Sequence, residues 1–134
     1  MNVEINTLYQ VITDFEHYPE FVSEVVGAKT LPGSTDTRAL VRFELEIIKR
    51  FEYLLEFKMT RPTEVKWKLT RSNFFKVNDG AWSLTPVDAS HTEAHYELEV
   101  GFGFLVPGWV SRKLTEINLP QMFDHFEARA KALS

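Results

Sequence analysis

At 134 residues, 44% hydrophobic and 25% charged, the chain has the length of about one domain and the apolar share of a globular protein rather than a disordered tail. It has no cysteine, which excludes a disulfide framework, thiolate zinc sites, iron–sulfur clusters and cysteine nucleophiles. Its net charge of −4 supplies no general affinity for phosphate backbones, which comes from clustered Lys and Arg, so DNA is not an expected partner, although a local basic patch stays open.

No stretch reaches the ~20 consecutive apolar residues of a membrane-spanning helix. The longest uncharged apolar run, Val100 to Val110, is short and carries three Gly and a Pro. Met1 to Asn6 lack the basic and apolar regions of a secretory signal. The chain therefore reads as soluble and cytoplasmic. It shows no internal repeat, low-complexity tract or linker, and residues 1–134 read as one domain.

In chain order, Val3 to Ile5 suggest a short strand. Asn6 is a candidate N-cap for a short amphipathic helix, in which Leu8, Tyr9, Val11, Ile12 and Phe15 recur at helical spacing. Pro19 bounds that helix, and Tyr18 to Val22 continue as a turn or a second short helix. From Glu24 the period becomes two. Val25 to Leu31 read as a strand, and Pro32-Gly33-Ser34 as a turn. Ala39, Val41, Phe43, Leu45 and Ile47 then alternate with Arg38, Leu40, Arg42, Glu44 and Glu46. After a reversal at Lys49-Arg50, the residues Phe51, Tyr53, Leu55, Phe57 and Met59 alternate with Glu52, Leu54, Glu56 and Lys58. Arg61-Pro62-Thr63 is the next turn. Val65, Trp67 and Leu69 alternate with Lys66, Lys68 and Thr70. Asn78-Asp79-Gly80 reads as a bend or bulge before a strand over Trp82 to Val87. In the last strand Ala94, Tyr96, Leu98, Val100 and Phe102 face one way, and Glu93, His95, Glu97 and Glu99 the other.

These are antiparallel strands with one wet and one dry face. A dry face this wide needs a cover. The C-terminal segment supplies it: from Pro107-Gly108 onward, Trp109, Val110, Leu114, Ile117, Met122, Phe123, Phe126, Ala130 and Leu133 follow a helical pattern. Pro120 falls inside that pattern and is expected to kink or divide the helix. The fold class is α+β: a curved antiparallel sheet of about six to seven strands wrapped around one long C-terminal helix, with short helices after the first strand.

Particular residues carry a family resemblance. Val11 to Phe21 are similar to a signature v-l-x-D-x-x-x-Y-P-x-F, with Asp14, Tyr18, Pro19 and Phe21 in place. Asp79 to Pro86 match a strand G-x-W-x-L-x-P, and Thr92 to Leu98 a strand T-x-v-x-Y-x-l. Val106-Pro107-Gly108-Trp109 and Leu119-Pro120-Gln121-Met122 match the proline-bearing entry and middle of a last helix. On these motifs the chain resembles the START-like (SRPBCC, helix-grip) superfamily, and within it the polyketide cyclase/dehydrase and coenzyme Q-binding START group, which also contains ribosome-association toxins. The likeness spans nearly the whole chain. It implies the helix-grip fold and a ligand held between sheet and long helix. It leaves function open, because one scaffold carries many activities. The group opens with a full strand before the first helix; here few residues precede Asn6, so either a stunted first strand or a truncated start is expected, and with it an exposed sheet edge.

The dry face holds Val41, Phe43, Leu45, Tyr53, Leu55, Phe57, Trp67, Leu69, Trp82, Leu84, Tyr96, Leu98, Val100 and Phe102. From the last helix Trp109, Leu114, Ile117, Met122 and Phe126 face it. No carboxylate, Lys, Arg or His falls on the strand positions by alternation. Acid–base catalysis needs titratable groups within hydrogen-bond reach of substrate, and this face offers only the phenols of Tyr53 and Tyr96, whose ordinary pKa lies near 10. The lining suits binding an apolar molecule better than transforming one, and no catalytic residue or cofactor is assigned. Read from the residues alone, it could equally be a filled core; the resemblance favours a cavity.

Elsewhere the chain offers little chemistry. His91 and His95, four apart on a strand, lie roughly 13 Å from each other, too far to share a metal, and no metal site is assigned. Asp14 is expected to hydrogen-bond the turn backbone rather than to act with His17. Lys58, Lys66, Lys68, Arg71 and Lys76 are interleaved with Glu52, Glu56, Glu97 and Glu99, a solvated face or else an RNA- or ribosome-facing patch. The uncharged segment Phe102 to Trp109, followed by Arg112 and Lys113, either tucks under the sheet or forms a mouth or membrane-docking loop. The expected function is non-enzymatic binding or transport of a hydrophobic small molecule, such as a lipid, an isoprenoid quinone or a polyaromatic compound. Tyr53, Tyr96, Trp67 or Trp82 would orient its polar head. The alternatives are ribosome binding and a polyketide aromatase/cyclase, the latter requiring an inward polar or charged group.

Overall fold

The computed structural model describes residues 1–22, 25–46, 50–72, 75–102 and 118–133, with backbone only for 118–122. In chain order these form α1 (Ile5–Thr13), a 3-10 helix (Phe15–Glu20), β1 (Val25–Thr30), β2 (Arg38–Glu46), β3 (Arg50–Thr60), β4 (Glu64–Ser72), β5 (Phe75–Asp88), β6 (His91–Phe102) and α2 (Asn118–Leu133).

Helix α1 forms because Ile5, Leu8, Tyr9, Val11 and Ile12 share one face, and all five are buried. Its cap is Glu4 rather than Asn6. The Glu4 carboxylate accepts the Thr7 backbone N–H at 3.0 Å and the Asn6 side-chain amide at 2.7 Å. Hydrogen bonds from the Asn6 and Thr7 backbone hold that carboxyl below its ordinary pKa. The expected first strand is absent, since Ile5 already belongs to the helix. What remains of it is a seam. The Met1 amino group donates to the Thr92 carbonyl at 2.8 Å, the Thr92 N–H donates to the Met1 carbonyl at 2.9 Å, and the Thr92 hydroxyl donates to the Val3 carbonyl at 2.7 Å. The chain start is thereby anchored beside β6 without forming a strand.

The six strands pair in sequence order as one antiparallel sheet. Hairpins between neighbours satisfy the backbone with short connections. At the β1–β2 turn Gly33 has φ 91, a conformation in which a Cβ is strained. Along β2 the inward residues Ala39, Val41, Phe43 and Leu45 are buried while their neighbours are not. The same alternation marks Tyr53, Leu55, Phe57 and Met59 on β3.

Strand β5 starts at Phe75, well before the expected Trp82. Asn78, Asp79 and Gly80 are not a bend ahead of it but paired residues within it, opposite Val100, Glu99 and Leu98. Turn-favouring residue types misled the sequence reading here, because tertiary packing decides this site. A Cβ on Gly80 would stand 2.6 Å from the Glu97 carbonyl oxygen and closer still to the Trp67 ring. The position requires glycine so that the Trp67 indole can lie on the strand. The β4–β5 ladder runs only from Glu64↔Ser83 to Trp67↔Gly80. Beyond it the Asp79 carboxylate accepts the Leu69 N–H at 3.0 Å.

The expected helix start at Pro107-Gly108 lies outside the described residues. Helix α2 is described from Asn118 to Leu133, with Pro120 in its first turn; the segment before it, against which the expected kink or division would be judged, lies outside the described residues. Phe126 and Ala130 of α2 join α1, the 3-10 helix and the inner faces of β2, β3, β4 and β5 in one buried cluster.

Candidate functional site

The inner, concave face of the sheet collects fourteen of the strand residues expected to line a cavity, but it divides them. Val41, Phe43, Leu45, Tyr53, Leu55, Phe57, Trp82 and Leu84 are buried. Trp67, Leu69, Tyr96, Leu98, Val100 and Phe102 are only half-buried. The buried part is sealed by rings. Trp82 meets Tyr96, Phe126 and Phe123 at 4.7, 5.4 and 5.6 Å between centroids. Phe126 meets Tyr18 and Phe21 at 5.3 and 5.1 Å. The half-buried part lies on the far ends of β4, β5 and β6. There Tyr53, Phe75 and Phe102 form a chain of rings with centroid spacings of 5.0 and 5.3 Å, and Leu98 and Val100 stand outside the buried cluster. Trp109, Leu114, Ile117 and the side chain of Met122 lie outside the described residues, as does most of the Phe102–Trp109 segment.

Among the described residues the buried polar side chains outside the tyrosines and tryptophans are Asn78 and Thr92; no buried one carries a formal charge. Thr92 is spent on the Val3 carbonyl. The Asn78 oxygen Oδ1 accepts the Trp67 indole N–H at 3.2 Å, so Trp67 is already engaged and is a poor candidate for orienting a ligand. The Tyr18 hydroxyl donates to the Ile12 carbonyl, which pins the 3-10 helix to α1. Tyr53 stacks on Phe43 at 5.4 Å, and its hydroxyl makes no hydrogen bond among the described residues. Burial pushes the Tyr18, Tyr53 and Tyr96 phenols well above the ordinary range, and neighbouring phenols add to the shift of Tyr18 and Tyr53. All three are neutral hydrogen-bonding groups, not bases.

A curved six-stranded meander closed by a C-terminal helix over an aromatic inner face has relatives. The family model described as polyketide cyclase/dehydrase and lipid transport matches residues 1–127. The chain belongs to this family. Among solved structures, a START superfamily protein from Mycobacterium smegmatis superposes with a TM-score of 0.83 at 19% identity, covering 100% of this chain and 94% of that one. A STAR-related lipid transfer protein from Xanthomonas axonopodis gives 0.80 at 12% identity, covering 98% and 81%. The Zhui aromatase/cyclase from Streptomyces sp. R1128 gives 0.79 at 11% identity, covering 97% and 88%. At such identities the likeness carries the fold alone. No curated protein matches in sequence.

The family motif around Asp14 works differently from the sequence expectation. The Asp14 carboxylate meets His17 Nδ1 at 2.6 Å instead of capping the turn backbone. The two strand histidines are likewise surface partners of carboxylates, His91 with Asp88 and His95 with Glu97. Among the described residues no cluster of three or more His, Asp or Glu could hold a metal, and no helix is long and apolar enough to cross a membrane. Where the β4–β5 ladder ends, a shallow depression of about 630 Å³ is lined by Lys58, Lys66 and Lys68 together with Glu56, Glu97 and Glu99, and by Trp67, Leu69 and Leu98 between them. Acids and bases alternate there, as in a solvated surface.

Sequence reasoning missed Tyr18, Phe75 and Asn78. Tyr18 was visible only as part of a motif. Phe75 was hidden because the bulge between Phe75 and Val77 takes it out of the alternation, and Asn78, in phase with Trp82 and Leu84, was hidden by its turn-favouring neighbours Asp79 and Gly80.

Proposed function

We propose that residues 1–134 act as a single domain that binds or carries a hydrophobic small molecule between the concave face and the C-terminal helix, without transforming it. One observation carries this reading. The concave face is sealed at one end and half-exposed, aromatic and aliphatic at the other, and among the described residues no acid, base or cation is buried in it. Apolar surface left open contributes about 25 cal/mol per Å² when a ligand covers it. The aromatase/cyclase reading needs a titratable inward group to move protons. The phenols of Tyr18, Tyr53 and Tyr96 are held in their neutral form by burial, which disfavours them as bases.

Native mass spectrometry with organic extraction tests the proposal, together with titration of the neutral dye Nile red. A co-purifying apolar adduct, or saturable dye binding that Leu98→Trp or Val100→Trp abolishes by filling the open end, is the expected result. Absence of both adduct and dye binding in folded protein overturns it.

A further inference from the structure

The two outermost strands end the sheet in different ways. Strand β1 is 6 residues long and carries a register shift between Val25 and Gly27. It lies against the 3-10 helix, whose Glu16 carboxylate accepts the Thr30 N–H at 2.9 Å. Short length, a bulge and a covering element are ordinary ways of closing a sheet edge. Strand β6 is the opposite case. It is 12 residues long, and its pairing with β5 shows no register shift from Thr92 to Gly101. One rung of its outer side is taken: Met1 and Thr92 exchange both N–H···O bonds, the mark of an antiparallel hydrogen-bonded pair. By the alternation of such a ladder, Ala94, Leu98 and Val100 direct their backbone N–H and C=O groups to the same side as Thr92. No strand or backbone group pairs with them there among the described residues.

We infer that the outer side of β6 is a docking edge for an extended segment of another protein, which adds as a further antiparallel strand with Lys or Arg on one face and apolar residues on the other. The chemistry of the partner follows from the two faces of β6. Its outer face presents Glu93, His95, Glu97 and Glu99, all exposed. Their neighbours on β5 are Thr85, Ser83, Ala81 and Asp79, none of them a cation. Glu97 meets His95 at 3.2 Å, and Glu93 and Glu99 make no ion pair among the described residues. Lys66 and Lys68 stand two strands away, on β4. On the inner face Ala94, Leu98 and Val100 are half-buried and would be covered further by apolar side chains of an added strand. Main-chain hydrogen bonds then supply affinity, and the alternating side chains supply specificity. A second copy of β6 fits less well, because it would bring its own Glu93, Glu97 and Glu99 to the same face, where like charges on neighbouring strands repel.

The probe is a capped seven-residue peptide spanning Glu93 to Glu99 in antiparallel register. It has lysine at its first, third and last positions, threonine at the fifth and valine between them. Titrated into the nitrogen-15-labelled full chain, it should give saturable NMR shifts at the Ala94, Leu98 and Val100 amides that weaken as salt is raised. The same peptide with glutamate for lysine should bind about tenfold or more weakly. Methylating the valine N–H groups, which point at β6, should abolish binding. Methylating the central lysine and the threonine, whose N–H groups point away, should leave affinity within about threefold. Glu97→Lys combined with Glu99→Lys, both on the exposed face, should reverse the preference between the two peptides. Equal loss from the two methylation patterns would reduce the interaction to charge attraction and overturn the inference, as would absence of saturable shifts at low salt in the folded protein. A dimer in sedimentation velocity that the lysine peptide leaves intact, with the same three amides buried in it, would make a second copy the occupant and overturn it too.

Discussion

At the sealed end of the concave face Val41, Val65, Trp82 and Phe126 are 0, 0, 2 and 1% exposed. At the open end Leu69, Phe75, Leu98, Val100 and Phe102 come from the same residue classes and the same strand alternation, yet remain half-buried. The difference lies in what covers each. The sealed end has α1, the 3-10 helix and α2 pressed onto it by aromatic edge contacts. At the open end the β4–β5 ladder has stopped at Trp67↔Gly80, and Leu98 and Val100 belong to no buried cluster. Stability and binding capacity should therefore respond to different substitutions on one continuous surface.

The largest effect is expected at the sealed end. Trp82→Ala removes a ring packed on Tyr96, Phe123 and Phe126 and should cost about 3–5 kcal/mol in chemical denaturation. Gly80→Ala sits between the two ends. Its methyl group would press on the Trp67 ring and the Glu97 carbonyl, at a cost of about 1–3 kcal/mol. A cost near zero for Gly80→Ala would mean that Trp67 swings clear without loss, and that the junction between the ends is loose.

Those two residues also show what the sequence could and could not reveal. Trp82 was legible, because it sits in an unbroken alternation with Leu84. Gly80 belonged to a run of Asn, Asp and Gly whose residue types favour turns, and only the indole of Trp67, from the neighbouring strand, makes it a strand position. The dry faces of the strands and the need for a helix cover followed from periodicity, which registers the face a residue takes. The split between sealed and open ends did not, because periodicity does not register how much chain lies above that face. Tyr53 falls on the alternation of β3; Asn78 lies in phase with Trp82 and Leu84, but its place in that turn-like run hid it.

Alkaline pH probes both ends at once. All four tyrosines have phenols raised by burial, Tyr9 and Tyr18 with the sealed cluster, Tyr53 and Tyr96 toward the opening. A folded pKa above the unfolded value near 10 gives stability that is intact below pH 10. That stability is lost as the pH climbs toward the folded value, at about 1.4 kcal/mol per pH unit for each phenol. Ultraviolet titration should show little tyrosinate at pH 10 and then cooperative unfolding. Tyr53→Phe should shallow that dependence by one phenol, and early ionisation of a single tyrosine would identify one that the open end leaves wet.

Leu98→Ala provides the converse of Trp82→Ala. Its side chain is half-buried and outside the core cluster, so stability should fall by about 1 kcal/mol or less, while dye affinity changes measurably. Equal stability losses for Leu98→Ala and Trp82→Ala would erase the distinction between the two ends.

The smallest effect lies on the surface that fastens the sealed end. His17 Nδ1 sits 2.6 Å from Asp14 and Nε2 3.7 Å from Glu20, and Glu20 in turn meets Arg129 of α2 at 3.3 Å. The hydrogen bond and charge of Asp14 raise the His17 pKa, with Glu20 adding to them and Arg129 opposing. Because the folded value lies above the unfolded one, this contribution is complete below about pH 6.5 and fades as the pH rises through the folded pKa. The pair is exposed, so the stability change should be slight. The clearer readout is the proton NMR titration of the His17 ring, which should show a midpoint above 6.5 that Asp14→Asn brings down. A midpoint unmoved by Asp14→Asn would transfer the cause to Glu20, and with it to the link between the 3-10 helix and α2.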